Sequence, residues 1–476
     1  MKGASNDEMA RISLFKDGKK VEMSSFEYLN KSECYDVQNI KDDQLYKEVK
    51  DSFRTMRFTE EEEIAIWSIV SSVLYVGNIL IDDSTFDNDK PCGLKNVDAL
   101  KTVANLLKIN YEALEKSFLF KTREVGKQLI ESPMQKADCE FARETLAKDL
   151  FEKLFNWLVK KLNFTIMPDE DLKSHADIAQ LESSRFTIGL LDIFGFEILK
   201  VNSLEQYCIN YTNEKLQQLY ISYVFKAEEK EFINEGLEKY IVDLNFKDNQ
   251  SVIDLLDLYP LGIYHLIDEN CAIAGTDDGL IQKIRNTHKA NQKFQIPKLT
   301  SNTFTIIHTA KNVEYTINGF RTKNKDEMSK LMIETVHFSA FPEFVRIFKG
   351  ITGFEKEEGM KDAVVKDKKA SDKYLGAKFR QQMKDLMNEL TSCDCHFIRC
   401  IKPNEQKQKG LWVPLLALTQ IRYLGVLDSI KVRRDSFPVR RMYRLFYQKY
   451  GEMDNNKYSI PKLIEMKADF REITMK

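Results

Sequence analysis

An aspartate, a glycine and a glutamate spaced D-x-x-G-x-E close the stretch "FTIGLLDIFGFE", Phe186 to Glu197. These residue types at this spacing suit a site that senses a terminal phosphate. Asp192 can hold a magnesium-bound water, Gly195 lets a bare backbone N–H approach a phosphate oxygen, and Glu197 can pair with a cation across a closed site. The residues before them are Phe186, Ile188, Leu190 and Leu191, which leave no polar face and read as a strand buried on both sides. Such strands belong to parallel sheets, and ligands bind outside their carboxyl ends, where Asp192 stands. Six residues also fit a blander account, since a buried strand that happens to end in aspartate is common.

The elements that must position this triplet are mostly helical. A long helix is expected from Ser203 to Glu235, about 50 Å at the standard rise, with Asn202 and Glu205 as a capping pair and Gly236 as its stop. A rod of that length beside a ligand loop can carry a small displacement far away, though length alone equally suits a packing helix. Earlier, "EEEEIAIWSIVSSVLYVGNILI", Glu60 to Ile81, opens on acids at the positive end of a helix dipole and then turns densely apolar. A second long helix is expected from Cys139 to Asn163, with Phe141, Leu146, Leu150, Leu154 and Leu158 as its apolar stripe. Residues 251–290 read as two helices joined by "CAIAGTDDG", and residues 303–320 as a strand pair with Asn318–Gly319 as turn residues. The stretch from Gly353 to Lys373 carries six lysines and six acids with no large apolar cluster, and reads as a surface loop or linker. Beyond it come a helix, a strand at His396, a break at Lys402-Pro403-Asn404 and a basic helical stretch.

Composition narrows the class. The chain has 476 residues, 43% hydrophobic and 30% charged, with a formal net charge of -2. That balance gives no global field for nucleic acid or an anionic membrane. No segment has 18 consecutive apolar residues and the N-terminus has no apolar signal core, so a cytoplasmic protein without membrane insertion is expected. The eight cysteines are scattered except in "SCDCHFIRC", where Cys393, Cys395 and Cys400 surround His396. A zinc site is one reading. Alternation along "HFIRCIKP" is the other, because it turns Cys395 away from His396. The basic and aromatic run "KVRRDSFPVRRMYRLFYQKY" has the mix of a nucleic-acid surface, but a solvated face explains the same arginines.

Several long stretches, in order, resemble the myosin motor domain. "LLDIFGFE" with "NSLEQYCINYTNEKLQQLYISYVFKAEEKEFINEGL" is similar to its switch II loop and relay helix, and "FTEEEEIAIWSIVSSVLYVGNI" to helices of its upper 50-kDa subdomain. "LGIYHLIDENCAIAGTDDGLIQKI" resembles the actin-binding helix-loop-helix, "HFIRCIKPNEQKQKG" a strand of the central sheet, and "QIRYLGVLDSIKVRRDSFP" the paired SH2 and SH1 helices. The resemblance implies an α/β, P-loop NTPase-like fold, mostly helical around a partial central mixed sheet. It implies an upper 50-kDa-like region over 1–185 and a switch II, relay and actin-binding region over 186–352. A loop 2-like linker over 353–373, SH2/SH1-like helices over 374–436 and part of a converter over 437–476 would follow.

By the same resemblance Asp192, Gly195 and Glu197 are the switch II residues, and ATP with Mg2+ is the cofactor of the complete motor. F-actin is the partner, met by Leu261, Ile263, Asp268 and Glu269 and by loop 2 lysines such as Lys366, Lys368 and Lys369. Asn210, Gly425 and Ser436 stand at coupling positions, and a light chain would bind only through a lever beyond the converter. A cytoskeletal location follows. Because lysines and acids balance in 353–373, the early contact with actin is expected to be weak and salt-dependent.

The departures are as informative. No G-x4-G-K-[ST] occurs; "VGKQ" at Val125 lacks the first glycine and the hydroxyl. "SSRF" at Ser183 abuts the switch II strand and has no N-x-N before it, so it is not switch I. The chain therefore reads as the part after switch I, without the P-loop, which would leave the strand at Phe186 uncovered. Tyr423 and Arg433 occupy the reactive-thiol positions of many myosins and Ser436 a position that is often glycine, which points to a divergent, unconventional class. Two functions remain open, a fragment of an ATP-driven actin motor and a non-catalytic actin-binding scaffold derived from one. Without a phosphate cradle the chain alone is expected to release no phosphate from Mg-ATP. Turnover by the pure protein that vanished in Asp192→Ala would contradict this.

Overall fold

Thr59 begins the helix around which the first half of the molecule packs. Its hydroxyl accepts from the Glu62 amide and the Glu62 side chain reaches back to the Thr59 amide, a reciprocal cap that fixes where Glu60–Gly77 starts. The computed structural model describes all residues except 39, 88–89, 126–127, 168–187, 235–247, 274, 299–300, 326–327, 353–373, 425, 427–429, 431–442 and 451–476. It divides into two units: Met1–Leu190 with Asp326–Lys368, and Leu191–Lys325 with Lys369–Lys476.

In the first unit the helix Glu60–Gly77 is covered by the helices Val97–Leu107, Lys136–Thr165 and Pro342–Phe348. Ala65, Ile66, Ile69 and Val76 are buried. Small Ser68, Ser71 and Ser72 are buried between them, and the Ser71 hydroxyl donates to the Ile12 carbonyl at 2.7 Å. The helix Lys136–Thr165 buries Leu146, Leu150, Leu154 and Trp157, close to the expected stripe. Near its end Lys161 meets Glu62 at 2.6 Å, with side chains only 7% and 12% exposed. Residues 328–352, assigned by sequence to the actin-binding region, pack here instead. Met332, Val336, Phe344 and Ile347 join this core, where apolar helix faces find cover.

The second unit centres on the helix Leu204–Asn234, 31 residues and about 46 Å long. Its Tyr207 packs edge-on against Tyr264 at 4.7 Å and Tyr315 at 5.6 Å. Asn202 does not cap it: the Asn202 side chain is spent on the backbone of Leu199 and Glu314, and Gln206 accepts the Ser203 amide instead. Gly236, the expected stop, lies outside the described residues. Three helices follow where two were expected, Gln250–Asp257, Ile263–Ala272 and Asp277–His288. The strands Phe294–Gln295, Thr303–Ile307 and Asn312–Thr316 form an antiparallel sheet in which Phe304 faces Tyr315. Its hairpin turns at residues 308–311. Asn318–Gly319 serves a different end, since Gly319, at φ 82, leads into the short helix Phe320–Asn324 and donates its amide to Asp277 at 2.7 Å.

The strand expected to run into Asp192 and the one expected at His396 do not form. Residues 188–199 and 393–402 have no ladder, and Ile188 and Leu190 are 96% and 94% exposed. A strand is defined by the strands it pairs with, and among the described residues no strand pairs with either segment. The described sheets are small and antiparallel, with no central mixed sheet among them. No described helix is long and apolar enough to cross a membrane.

Trp157 tests the first core. It is buried against Phe58 and its Nε1 donates to the Ile351 carbonyl at 2.8 Å. Trp157→Ala is expected to cost about 3–5 kcal/mol by urea unfolding. Trp157→Phe is expected to lose about 1–2 kcal/mol, chiefly the hydrogen bond.

Candidate functional site

The segment Asp192–Leu199 has no regular structure of its own, so its shape is set by what grips it. Two asparagines on the long helix do so. The Asn210 side chain accepts from the Glu197 amide at 2.8 Å and donates to the Glu197 carbonyl at 2.9 Å, closing both backbone groups of one residue. One turn on, Asn213 donates to the Phe194 carbonyl at 3.0 Å. Gln206 donates to the Glu197 carboxylate at 3.3 Å, and Phe196 lies edge-on to His308 at 5.2 Å. Asp192 and Gly195 face solvent. A Cβ placed on Gly195 would meet no atom within 4 Å, so packing does not require glycine there. What its bare backbone leaves is open space around the loop at that point.

Behind this loop lies a buried polar chain. Asn210 also donates to the Tyr315 hydroxyl at 2.8 Å, which lies 2.9 Å from His308 Nε2, while His308 Nδ1 lies 3.1 Å from a Glu214 carboxylate oxygen. With the proton on Nδ1, His308 donates to Glu214 and accepts from Tyr315; protonated on both nitrogens it also attracts the Glu214 carboxylate by its charge. Glu214 is 2% exposed and also receives the Thr309 amide at 2.8 Å, the Thr309 hydroxyl at 2.7 Å and the Asn249 amide at 2.6 Å. Burial pushes its carboxyl up, but the donors from His308, Thr309 and Asn249 outweigh this and hold it below the usual carboxylate range. Sequence reading had named Asn210 as a coupling position but passed over Glu214, His308 and Tyr315. The signal for this polar chain was Asn210 and Glu214, one turn apart on a helical face that also carries Gln206, Asn213 and Gln217, with His308 just beyond one alternating strand and Tyr315 near the end of the next.

The residues proposed for a partner surface separate. Leu261 is exposed with Leu258 and Tyr259, the last 78% exposed, and Ile273 is exposed at the far end of the helix Ile263–Ala272. Glu269 pairs at the surface with Lys283 at 2.6 Å. Ile263 is fully buried, so its direct contact with a partner is corrected to a core role. Asp268 is likewise held inside by Arg380 at 2.7 Å and Asn324 at 2.8 Å. Burial pushes the Asp268 carboxyl up against the pull of these donors. Lys366, Lys368 and Lys369, and the coupling positions Gly425 and Ser436, lie outside the described residues. Around His396, Cys393 and Cys400 are exposed while the Cys395 thiol meets the Leu390 carbonyl, and no metal-ligating group converges among the described residues. Phe397 and Arg399 instead pack on Tyr220 of the long helix, at 5.1 Å and 4.5 Å.

Comparison with known proteins places this arrangement. The family model for the myosin head (motor domain) matches residues 1–476. The chain belongs to the myosin head family. It is 31% identical over 443 residues to unconventional myosin-XV of Homo sapiens, covering 92% of this chain and 12% of that protein. It is 32% identical over 435 residues to the myosin-I heavy chain of Dictyostelium discoideum, covering 91% of this chain and 18% of that one. To the myosin IE heavy chain of the same organism it is 32% identical over 463 residues, covering 94% of this chain and 43% of that one. The chain thus spans less than half the length of these myosins. Within the myosin head family, complete motors bind ATP with Mg2+ and work on actin.

Glu214 gives a pH test. Its lowered pKa adds stability that is fully present above its ordinary value of 4.5 and is lost as pH falls through the folded value. Glu214→Gln is expected to destabilise the second unit by about 1–3 kcal/mol at pH 7. In urea titrations the gap from wild type should hold down to about pH 4.5 and close below it.

Proposed function

We propose that this chain is the segment of an actin-based motor that joins a phosphate-sensing loop to an actin-facing surface, within a longer protein that couples ATP hydrolysis to movement. The observation that carries this reading is the double grip of Asn210 on the Glu197 backbone. A loop held by both its amide and its carbonyl cannot shift without moving the helix that holds it, and helices move as near-rigid bodies. Asp192 would hold a magnesium-bound water and the Gly195 amide would meet the terminal phosphate, in the positions that correspond to switch II. Bound Mg-ATP would supply the phosphate whose presence or loss the loop reads.

The helix also reaches the proposed actin face. Tyr207 donates to the Leu256 carbonyl at 3.1 Å and Tyr211 to Asp257 at 2.6 Å, immediately before exposed Leu258, Tyr259 and Leu261. An apolar, solvent-facing loop next to that anchor is suited to a protein partner. Glu269 would join it, whereas Ile263 and Asp268 would support it from inside. Relay helix and converter roles for Leu204–Asn234 and 437–476 follow from the same reading. A second reading is a non-catalytic actin-binding scaffold, which would use the same exposed Leu258, Tyr259 and Leu261 without the coupling to Glu197. In either case the chain by itself would not hydrolyse ATP.

Hydrogen exchange with and without F-actin separates the two. On the motor reading, F-actin slows exchange over Leu258–Ile273 and also changes it at the Glu197 amide. Asn210→Ala keeps the first effect and loses the second, and Leu258→Ser with Leu261→Ser weakens cosedimentation by about tenfold. Protection confined to Leu258–Ile273 in the wild type would leave the scaffold as the better account. No binding at all would remove both.

A further inference from the structure

A cavity of about 490 Å³ lies within the second unit, between the long helix, the helices ending at Asp257 and starting at Ile263, and the helix Leu375–Ser392. Its volume falls in the range of small-molecule sites. Tyr211, Met383 and Met387 give it an apolar wall. The charged groups of the inner wall are already engaged. Arg380 donates to Asp268 at 2.7 Å and approaches Asp257 at 3.5 Å and His265 Nε2 at 2.8 Å, while Asp257 also accepts the Tyr211 hydroxyl at 2.6 Å. The His265 Nε2 lies 3.1 Å from the Asp257 carbonyl, and burial together with the Arg380 charge pushes its pKa down. Gln381 is turned outward to Asp385 at 2.9 Å.

Two cations at the cavity have no such partner. Neither Lys215 nor Lys384 makes an ion pair among the described residues, and the Lys215 ammonium stands 5.7 Å from the centre of the Tyr211 ring. The Asn388 amide completes this side. We propose that the cavity binds a small organic anion, a compact aromatic or apolar body bearing one phosphate or carboxylate. The body lies on Tyr211, Met383 and Met387, and the anionic group takes its hydrogen bonds from Lys215 and Lys384. The inner wall adds no free carboxylate to repel it, since Asp257 and Asp268 are both held by Arg380. A cationic ligand of the same size would meet two ammonium groups and an engaged guanidinium. The site is remote in chemistry from the Asp192 loop and does not depend on its role.

Isothermal titration of the 476-residue chain tests this with phenyl phosphate, phenylacetate, inorganic phosphate and phenethylamine. Either aromatic anion is expected to bind about tenfold or more tightly than inorganic phosphate, and phenethylamine to give no binding heat. Lys215→Met with Lys384→Met should weaken the aromatic anion by about tenfold or more while leaving the melting temperature unchanged. Which anion binds better identifies the group preferred. The proposal is overturned if neither aromatic anion binds at millimolar concentration, if inorganic phosphate binds as well as they do, or if the double variant binds them as the wild type does.

Discussion

The second unit depends on one buried carboxylate. Glu214 is almost wholly removed from water, and a charge so placed is costly unless its lone pairs are filled. Filling them requires His308, Thr309 and Asn249 to converge on one face of the long helix. That requirement sets the position of the hairpin through His308 and Thr309, and of the helix Gln250–Asp257 through Asn249. The hairpin in turn presents Tyr315 to Asn210, which leaves the Asn210 amide aimed at Glu197. The shape of an irregular loop is thereby dictated from a core several side chains away.

The same logic is absent from the first unit, where cover matters more than polar convergence. Its central helix is apolar on most of its circumference, and the serines that interrupt it are small enough to let neighbouring helices approach. The near-buried pair of Lys161 and Glu62 ties two of its helices together, and Lys161 lies 5.5 Å from the Phe58 ring. Glu62 thus has two tasks, capping its own helix and neutralising a lysine on another.

Helices were legible because their signals are local. Thr59, the acids after it and the apolar run to Gly77 state a start, a dipole and a burial, and the structure agrees to within a few residues. The strands into Asp192 and at His396 were not, since alternation or continuous apolarity specifies a strand only when another strand is beside it. The hairpin turn was misplaced for a related reason. Asn-Gly suits a turn, but Gly319 leads into a helix with its amide tied to Asp277, a contact from a distant part of the chain. Among the site residues, Asp192, Gly195 and Glu197 were singled out by type and spacing, whereas the hydrogen bonds that hold the Glu197 backbone come from a helix residue thirteen positions on. The burial of Ile263 was open to reading from helical periodicity but was masked by the neighbouring exposed Leu261.

Ile188, Leu190 and Phe194 are exposed on a segment that pairs with no strand among the described residues. An exposed apolar stretch of this kind is what holdase chaperones grip in chains that have not finished folding. The stability of the two cores and the accessibility of this segment are therefore separate properties, since neither core buries its apolar side chains.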